Sequence, residues 1–264
     1  MPGLMEVCVF ASGSGGNCLL LSSGDTNILI DAGISMRRVV NALAQAGHTM
    51  GDIGGVLITH EHSDHISGLK MLVKHHHLPV FAPGTVAARL LGAVPELAGS
   101  VNIIPVNQRF EIGSLAVTAF PTPHDTDQSV GYRVSGGAVF ALATDMGVVT
   151  EQVEAALTGA DAVLIESNHD EDMLRYGPYP VYLKRRILSE RGHLSNESCA
   201  ALAARLAGSG TKKIILGHLS RENNRPELAL AAAERAVKGA AALYCAPPLG
   251  FLRLPVGKAE PCFA

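Results

Sequence analysis

The fold of this chain is decided by residues 56–69, which read VLITHEHSDHISGL. Residues 56–59 form an apolar run typical of a buried strand, and the apolar spacing that starts at Ile66 predicts a helix. Between them lie four residues that could bind metal, namely His60, His62, Asp64 and His65. A histidine pair two residues apart can reach one ion where a strand gives way to a loop, whereas Asp64 and His65 point elsewhere and could hold a second ion. The pattern favours a metal site over a polar loop with chance histidines.

Three further strand ends carry possible ligands. His124, Asp145 and His218 each follow an apolar run. Residues at strand ends can meet at one edge of a sheet although they are far apart in the sequence. His124 or His218 alone could equally be a histidine with a structural hydrogen bond. Together with the motif at residues 60–65, all three are expected to be metal ligands.

Apolar runs alternate with helical patterns along the whole chain. Eight of these runs, rich in valine, isoleucine and leucine, are predicted as buried strands: residues 7–11, 18–21, 27–30, 56–59, 115–120, 138–143, 162–165 and 213–216. Residues 66–73 and 200–206 have apolar side chains three or four positions apart, as amphipathic helices do. This alternation predicts a layered α/β fold. No linker divides the chain, so we expect a single domain over residues 1–264.

Two distant segments of the chain end in the same way. Residues 28–33 and 141–147 are apolar runs that finish in Asp-x-Gly, with Asp31 and Asp145 as the acidic residues. This similarity predicts two related sheets, each of which delivers a carboxylate at its edge.

The composition excludes several classes of protein. The 264 residues are 47% hydrophobic and 17% charged, with a formal net charge of −3, which argues against disorder and against a chain-wide basic surface for nucleic acid. Five scattered cysteines without a CxxC pair fit neither a secreted disulfide framework nor a zinc ribbon. The start of the chain lacks a secretory pattern, and no apolar stretch is long enough to cross a membrane. We therefore expect a cytoplasmic protein without a membrane partner.

On the residues quoted above, the chain resembles the metallo-β-lactamase-fold hydrolases, from Asp31 through His218. The resemblance implies a four-layer αββα sandwich with a two-metal site at its edge. It implies that one ion is held by His60, His62 and His124 and the other by Asp64, His65 and His218, with Asp145 bridging them. It also implies that Asp31 supports the ligands without binding metal itself.

A pair of divalent ions predicts hydrolytic chemistry. Two ions roughly 3.5 to 4 Å apart can share a water, lower its pKa to about 7 and stabilise charge on a carbonyl or phosphoryl oxygen. A metal-bridging hydroxide is therefore the expected nucleophile. Zinc is the first metal to expect, because histidine and aspartate bind it tightly, while manganese and iron stay open. The bond that is cleaved does not follow from the fold.

Residues 160–166 and 192–196 resemble the glutamate and histidine elements of the phosphodiesterase branch of this family. Position 145 agrees with this branch, because it is aspartate where the lactamases proper commonly carry cysteine or histidine. The resemblance implies that Glu166 orients His193, which protonates a leaving alkoxide. Alternatively, Glu166 could be a salt-bridge partner at a strand end and His193 a residue at a helix N-terminus. The predicted catalytic residues are Asp64, Glu166 and His193.

Three segments narrow the resemblance to the YycJ/WalJ-type, exonuclease-like subfamily. They are residues 10–18, 191–197 and 216–224, which read FASGSGGNC, RGHLSNE and LGHLSRENN. The subfamily implies an exonuclease that acts on DNA from the 5′ end, so nucleic acid is the expected partner.

Residues that would bind this substrate are harder to predict. Ser14, Asn17 and Ser195 are the predicted substrate-binding residues. Ser14 and Asn17 belong to the glycine-rich segment at residues 10–18, whose backbone N–H groups could hold a phosphate. A tight hairpin is the alternative for that segment. Residues 175–186 combine arginine, lysine and tyrosine, which could contact phosphates and stack on bases, or form a solvated loop and helix face. His169 is expected to be exposed or to cap a helix, near the site.

Two other functions stay open. A small-molecule metallo-hydrolase, such as a cyclic-phosphate diesterase, thioesterase or lactonase, fits the slightly acidic charge and the small size. A regulatory module with an inactive site is disfavoured, because all seven predicted metal ligands are present. The sequence leaves the oligomeric state open.

Overall fold

Two β-sheets form the centre of the protein, in a computed structural model that describes residues 5–257. Their fourteen strands are β1 (Met5–Ala11), β2 (Cys18–Ser23), β3 (Thr26–Ile30), β4 (Ile53–Leu57), β5 (Val80–Pro83), β6 (Val101–Ile104), β7 (Arg109–Ile112), β8 (Leu115–Pro121), β9 (Val130–Ser135), β10 (Val139–Ala143), β11 (Ala162–Glu166), β12 (Lys213–Gly217), β13 (Ala242–Cys245) and β14 (Leu252–Val256). The first sheet has the order β14-β1-β2-β3-β4-β5-β6, and the second has the order β13-β12-β11-β10-β9-β8-β7.

The described residues also form nine α-helices and two short 3-10 helices. The α-helices are α1 (Met36–Ala46), α2 (Ser63–Ile66), α3 (Leu69–His76), α4 (Gly84–Ala93), α5 (Glu151–Leu157), α6 (Glu171–Tyr176), α7 (Val181–Ile187), α8 (Asn196–Gly208) and α9 (Pro226–Val237). The 3-10 helices are Met50–Asp52 and Pro95–Leu97. Within residues 5–257, every helix is too short or too polar to span a lipid bilayer.

The two sheets repeat one pattern of strand pairing. In each sheet three antiparallel pairings are followed by three parallel ones, and the change occurs at β3 in the first sheet and at β10 in the second. Asp31 follows β3 and Asp145 follows β10, with positive φ angles of 59° and 55°. Positive φ is uncommon for a residue with a side chain. The two predicted Asp-x-Gly segments therefore occupy equivalent positions in related sheets.

Side chains along each strand point alternately to the two faces of its sheet, and both faces are packed. In β1, Val7 and Val9 lie in the core between the sheets, whereas Cys8 and Phe10 pack in the core beneath the helices of the first sheet. A third apolar cluster joins the second sheet to α5, α8 and α9. Because both faces of each sheet are covered, its strands are apolar on both faces. The predicted four-layer αββα sandwich is confirmed.

Some sequence predictions fall partly outside the described residues. Residues 1–4 and 258–264 lie there, so the single domain predicted for residues 1–264 stays a prediction over its whole length. Cys8, Cys18, Cys199 and Cys245 are free thiols. Cys262 lies outside the described part of the chain.

Candidate metal centre

The motif at residues 60–65 lies on the loop between β4 and α2. His60 and His62 belong to this loop, and Asp64 and His65 lie in the single turn of α2. The backbone of α2 is tied to the end of β3, because the Ala32 N–H donates to the His65 carbonyl over 2.8 Å. A methyl group added at Gly33 would overlap the Asp64 carbonyl. Only glycine therefore allows this close approach of two backbones.

Three imidazoles form the first group of possible ligands. Nδ1 of His62 lies 3.1 Å from Nε2 of His60 and 3.3 Å from Nε2 of His124. Two nitrogens bound to one tetrahedral zinc ion are about 3.4 Å apart. The spacing of this group therefore fits a single divalent ion.

Asp64, His65 and His218 form the second group. Oδ2 of Asp64 lies 3.5 Å from Nε2 of His65 and 3.6 Å from Nε2 of His218. The three side chains can offer one donor atom each within 4.8 Å of one another. Burial raises the pKa of Asp64, but the imidazoles of His218 and His65 outweigh it and hold the pKa well below its usual range. Asp64 is therefore an ionised carboxylate, the form that binds metal.

Asp145 lies between the two groups. Its carboxylate oxygens are 3.2 Å from Nε2 of His65, 3.4 Å from Nε2 of His218 and 3.8 Å from Nε2 of His124. Oδ2 of Asp145 and Nε2 of His218 are buried and have no hydrogen-bond partner among residues 5–257. Buried polar atoms without partners are costly, and a bound ion accounts for them. The structure thus brings all seven predicted ligands together in an arrangement that fits two cations.

Carboxylates behind the cluster fix the orientation of two of its imidazoles. Oδ2 of Asp31 accepts a 2.8 Å hydrogen bond from Nδ1 of His65, and Oδ1 of Asp31 accepts one of 2.9 Å from the Thr59 N–H. Oε1 of Glu166 lies 3.0 Å from Nδ1 of His218. When each ring is neutral with its proton on Nδ1, Nε2 presents a lone pair to the cluster, as a metal ligand must. Asp31 has the supporting position that the family resemblance implies.

Glu166 also holds His193. It is the last residue of β11 and is fully buried, and its Oε1 accepts a 2.7 Å hydrogen bond from Nδ1 of His193. Its Oε2 accepts one of 2.8 Å from the Met146 N–H. Burial raises the pKa of Glu166, but His193 and His218 outweigh it and lower the pKa to about 2. Glu166 is therefore a carboxylate that two imidazoles share.

His193 has one ring nitrogen left for chemistry. Burial lowers its pKa, but the Glu166 carboxylate outweighs burial and the net pKa is raised. The ring lies between the two groups of possible ligands, with centroids 5.3 Å from His124 and 5.4 Å from His218. With Nδ1 engaged by Glu166, Nε2 is free to give a proton to a group bound at the cluster.

A cavity of about 180 Å³ opens above the cluster. Of the three predicted substrate-binding residues, Ser14 lines this cavity. Asn17 is buried, and its amide accepts from the Gly13 N–H over 2.9 Å and lies 3.0 Å from Nε2 of His65. Ser195 is buried as the N-cap of α8, where its hydroxyl accepts from the Ser198 N–H over 3.2 Å. Asn17 and Ser195 thus have contacts within the protein, and their role in substrate binding stays a prediction.

Lys184 and Arg186, two cations of the segment at residues 175–186, have partners in the protein. Nζ of Lys184 donates to the carbonyls of Arg175 and Gly177 over 2.8 Å each. Arg186 lines the cavity and pairs with Asp125, whose other oxygen lies 3.2 Å from Nε2 of His124. The sequence reasoning missed Asp125, although it directly follows His124. The segment therefore holds loops together as well as facing the site.

His169 differs from its prediction. It is 1% exposed, and neither ring nitrogen has a hydrogen-bond partner among the described residues. Its backbone carbonyl accepts from the Asn196 N–H over 2.8 Å, which places it against the start of α8. Burial lowers the pKa of His169 to about 4. The expectation of an exposed or helix-capping residue is wrong, because long-range packing covers a locally polar segment.

Comparison with known proteins agrees with this geometry. The model of the beta-lactamase superfamily domain matches residues 26–219. The chain is 38% identical over 234 residues to the exodeoxyribonuclease YycJ of Bacillus anthracis, covering 85% of this chain and 86% of the relative. It is also 38% identical over 227 residues to the exodeoxyribonuclease WalJ of Streptococcus pneumoniae, covering 84% of each. The crystal structure of the metallo-beta-lactamase fold protein YhfI from Bacillus subtilis has a TM-score of 0.74 at 17% identity, covering 95% of this chain and 99% of that one.

Proposed function

The chain belongs to the beta-lactamase superfamily, in the group of the YycJ and WalJ exodeoxyribonucleases, and on this premise we propose that it is a dinuclear metalloenzyme that degrades DNA from the 5′ end. The family makes it a metal-dependent hydrolase of the nuclease and phosphodiesterase kind. The observation that carries the finer proposal is the Glu166–His193 pair beside the candidate metal centre.

Two divalent ions are the proposed cofactors. His60, His62 and His124 would hold one, and Asp64, His65 and His218 the other, with Asp145 reaching both. Zinc is the proposed metal, because imidazole nitrogens and carboxylate oxygens are its usual ligands, with manganese and iron as alternatives. When bound, the ions would activate a water and stabilise charge on the phosphoryl oxygens.

His193 is the proposed proton donor. A sugar alkoxide leaves poorly unless it is protonated as the phosphorus–oxygen bond breaks. The 2.7 Å hydrogen bond from Nδ1 to Glu166 keeps the imidazole oriented and favours its protonated form. Nε2 can therefore deliver a proton to the leaving oxygen. This pair therefore suits a substrate with a poor leaving oxygen, as a DNA phosphodiester has.

Metal analysis followed by digestion of end-labelled nucleic acids tests the proposal. The protein loaded with zinc or manganese should release mononucleotides from 5′-phosphorylated DNA, beginning at the 5′ end. Asp145→Ala should abolish this activity, whereas Asp25→Ala, at an exposed turn between β2 and β3, should not change it. If the fully metallated protein leaves both this DNA and an activated phosphodiester intact, the proposal is wrong. Shortening from the 3′ end would contradict the proposed direction.

A small-molecule diesterase is the second candidate. The cavity above the cluster is only about 180 Å³, and Lys184 and Arg186 have partners within the protein. Both observations suit a small phosphodiester, such as a cyclic phosphate, more than a long polyanion. Salt separates the two candidates, since binding to DNA weakens steeply as the salt concentration rises. A KM that is nearly independent of salt would favour the small substrate.

A further inference from the structure

A second cavity, of about 170 Å³, adjoins the cavity above the candidate metal centre. We infer that this second cavity binds the 5′-terminal nucleoside of the DNA, with Tyr179 stacking on its base. The inference rests on the proposed function and assigns the side of the site on which the released nucleotide lies. Tyr179 is thereby a substrate-positioning residue.

Three residues line both cavities and join them into one surface. These are Ser14, Arg186 and His193. The first cavity is otherwise lined by predicted metal ligands, and the second contains none of them. His193 thus stands at the boundary between a region suited to the phosphate and a region free of metal ligands.

The direction of the reaction decides which part of the substrate lies in the second cavity. A water oxygen forms a bond to phosphorus, and its proton passes to solvent. The bond from phosphorus to the 3′ oxygen of the terminal nucleotide breaks, and its electron pair stays on that oxygen. The oxygen then takes a proton from Nε2 of His193, which recovers one from solvent. The 5′-terminal nucleoside must therefore lie beside His193.

The wall of the second cavity offers a nucleoside both an apolar and a polar surface. Tyr179, Leu183 and Ile187 supply an aromatic ring and two aliphatic side chains. Asn168 and Ser220 supply an amide and a hydroxyl on the remaining part of the wall. Aromatic side chains are the usual platform for an unpaired base, because every base presents a π-face. The ring oxygen of the deoxyribose and the base edges would meet the polar groups.

The backbone at Tyr179 is restricted before substrate arrives. It lies between Pro178 and Pro180, whose rings fix φ and restrict the residues before them. Lys184 closes the connection from α6 to α7 by donating to the Gly177 carbonyl over 2.8 Å. A rigid platform loses little entropy when a base stacks on it.

The same wall is bonded directly to the proposed proton donor. The His193 N–H donates to the Ile187 carbonyl over 2.9 Å. A methyl group added at Gly192 would overlap the Ile187 carbonyl, so the two backbones are in close contact. A base stacked on Tyr179 would therefore lie against a wall whose backbone is hydrogen-bonded to that of His193.

A comparison of three forms of the enzyme on two DNA substrates tests this inference. One 5′-phosphorylated DNA carries a normal 5′-terminal base, and another carries an abasic tetrahydrofuran residue there. The first cleavage is measured as kcat/KM with wild type, Tyr179→Ala and Tyr179→Phe. Wild type and Tyr179→Phe should prefer the normal substrate by about tenfold, and Tyr179→Ala should lose this preference.

Two controls separate stacking from general damage. Tyr176→Ala removes a tyrosine that is 79% exposed and lines neither cavity, so the preference should remain about tenfold. In wild type, an abasic residue placed at the sixth nucleotide should not slow the first cleavage. Equal rates of wild type on the two terminal substrates, or a preference that survives in Tyr179→Ala, would overturn the inference. Absence of any DNA cleavage by wild type would instead overturn the proposed function.

Discussion

The carboxylate of Glu166 and the imidazole of His193 are joined by a 2.7 Å hydrogen bond between Oε1 and Nδ1. The same oxygen lies 3.0 Å from Nδ1 of His218, a predicted metal ligand. One buried carboxylate therefore orients both a proposed proton donor and a side chain of the candidate metal centre. The two roles can be separated by changing one partner at a time.

The loss of activity when His193 is replaced by alanine should depend on the leaving group of the substrate. Hydrolysis of DNA should fall by about 10²-fold or more, because the leaving alkoxide loses its proton donor. Hydrolysis of bis(p-nitrophenyl) phosphate should fall much less, because nitrophenolate leaves without a proton. The measurement is kcat on the two substrates at saturating metal. Equal slowing of both would remove the proton-donor role.

Replacing Glu166 by glutamine should weaken metal binding as well as catalysis. The amide keeps the shape of the side chain but does not stabilise the hydrogen bond to His218 as a carboxylate does. Loss of such a partner typically lowers metal affinity by about 10- to 100-fold. Competition with a chelator measures this affinity, and His193→Ala should keep the wild-type value. Unchanged affinity in Glu166→Gln would contradict the link through His218.

Replacing Asp31 by asparagine should also lower metal affinity by about 10- to 100-fold. Asp31 accepts the 2.8 Å hydrogen bond that presents Nε2 of His65 to the cluster. Asp25→Asn is the matched control, because this exposed carboxylate lies at a turn and should leave affinity unchanged. Equal chelator midpoints for the two variants would argue against the supporting role of Asp31.

Acid should destabilise the protein partly through His169. An unfolded histidine has a pKa of about 6.5, and the folded pKa of His169 is about 4. Below pH 6.5 the unfolded chain binds more protons, so stability falls as the pH drops from about 6.5 to about 4. The loss is on the order of 3 kcal/mol. Below both pKa values it is complete.

This acid sensitivity can be assigned by comparison of variants. The free energy of unfolding, measured in chelator at pH 7 and pH 4.5, should change less in His169→Gln than in wild type. His76→Gln changes an exposed histidine at the end of α3 and serves as the matched control. An identical pH dependence in wild type and His169→Gln would show that His169 titrates normally.

Replacing Gly33 by alanine should destabilise the protein and displace Asp64. The added methyl group meets the Asp64 carbonyl, which belongs to the backbone and cannot rotate away. We expect a loss of about 1–3 kcal/mol in the free energy of unfolding, together with weaker metal binding. Gly92→Ala is the control, since its methyl group would meet no atom within 4 Å and α4 should gain about 0.5–1 kcal/mol. Equal stability of the two variants would contradict this packing.

The sequence predicted the candidate centre better than the edges of the fold. His124, Asp145 and His218 could be predicted because each follows an apolar strand, and such strand ends meet at one edge of a sheet. Six strands were not predicted: β5, β6, β7, β9, β13 and β14. Several are short or partly exposed, such as β6 and β13, so their residues lack a continuous apolar run. Their pairing depends on neighbours that are distant in the sequence.

The surroundings of single polar residues could not be predicted from the sequence either. Asn17 belongs to a glycine-rich segment that resembles a phosphate-binding loop, yet its amide packs against Asp64 and His65. His169 lies in a polar stretch, yet the start of α8 covers it. Neither contact leaves a periodic signal, because each joins loops whose positions only the assembled sheets define.

The strand β14 completes the first sheet from the far end of the sequence, with Val256 opposite Met5 and Leu252 opposite Val9. It covers the side of β1 that does not face β2. A fragment that stopped before Leu252 would leave the N–H and C=O groups along that side of β1 unpaired, as an open edge that strands of other molecules can join. The edge that β14 itself presents contains Pro255, which has no N–H to donate, so it pairs less readily than β1 would. Forms of this enzyme shortened before Leu252 should therefore self-associate, even though every residue of the candidate metal centre is retained.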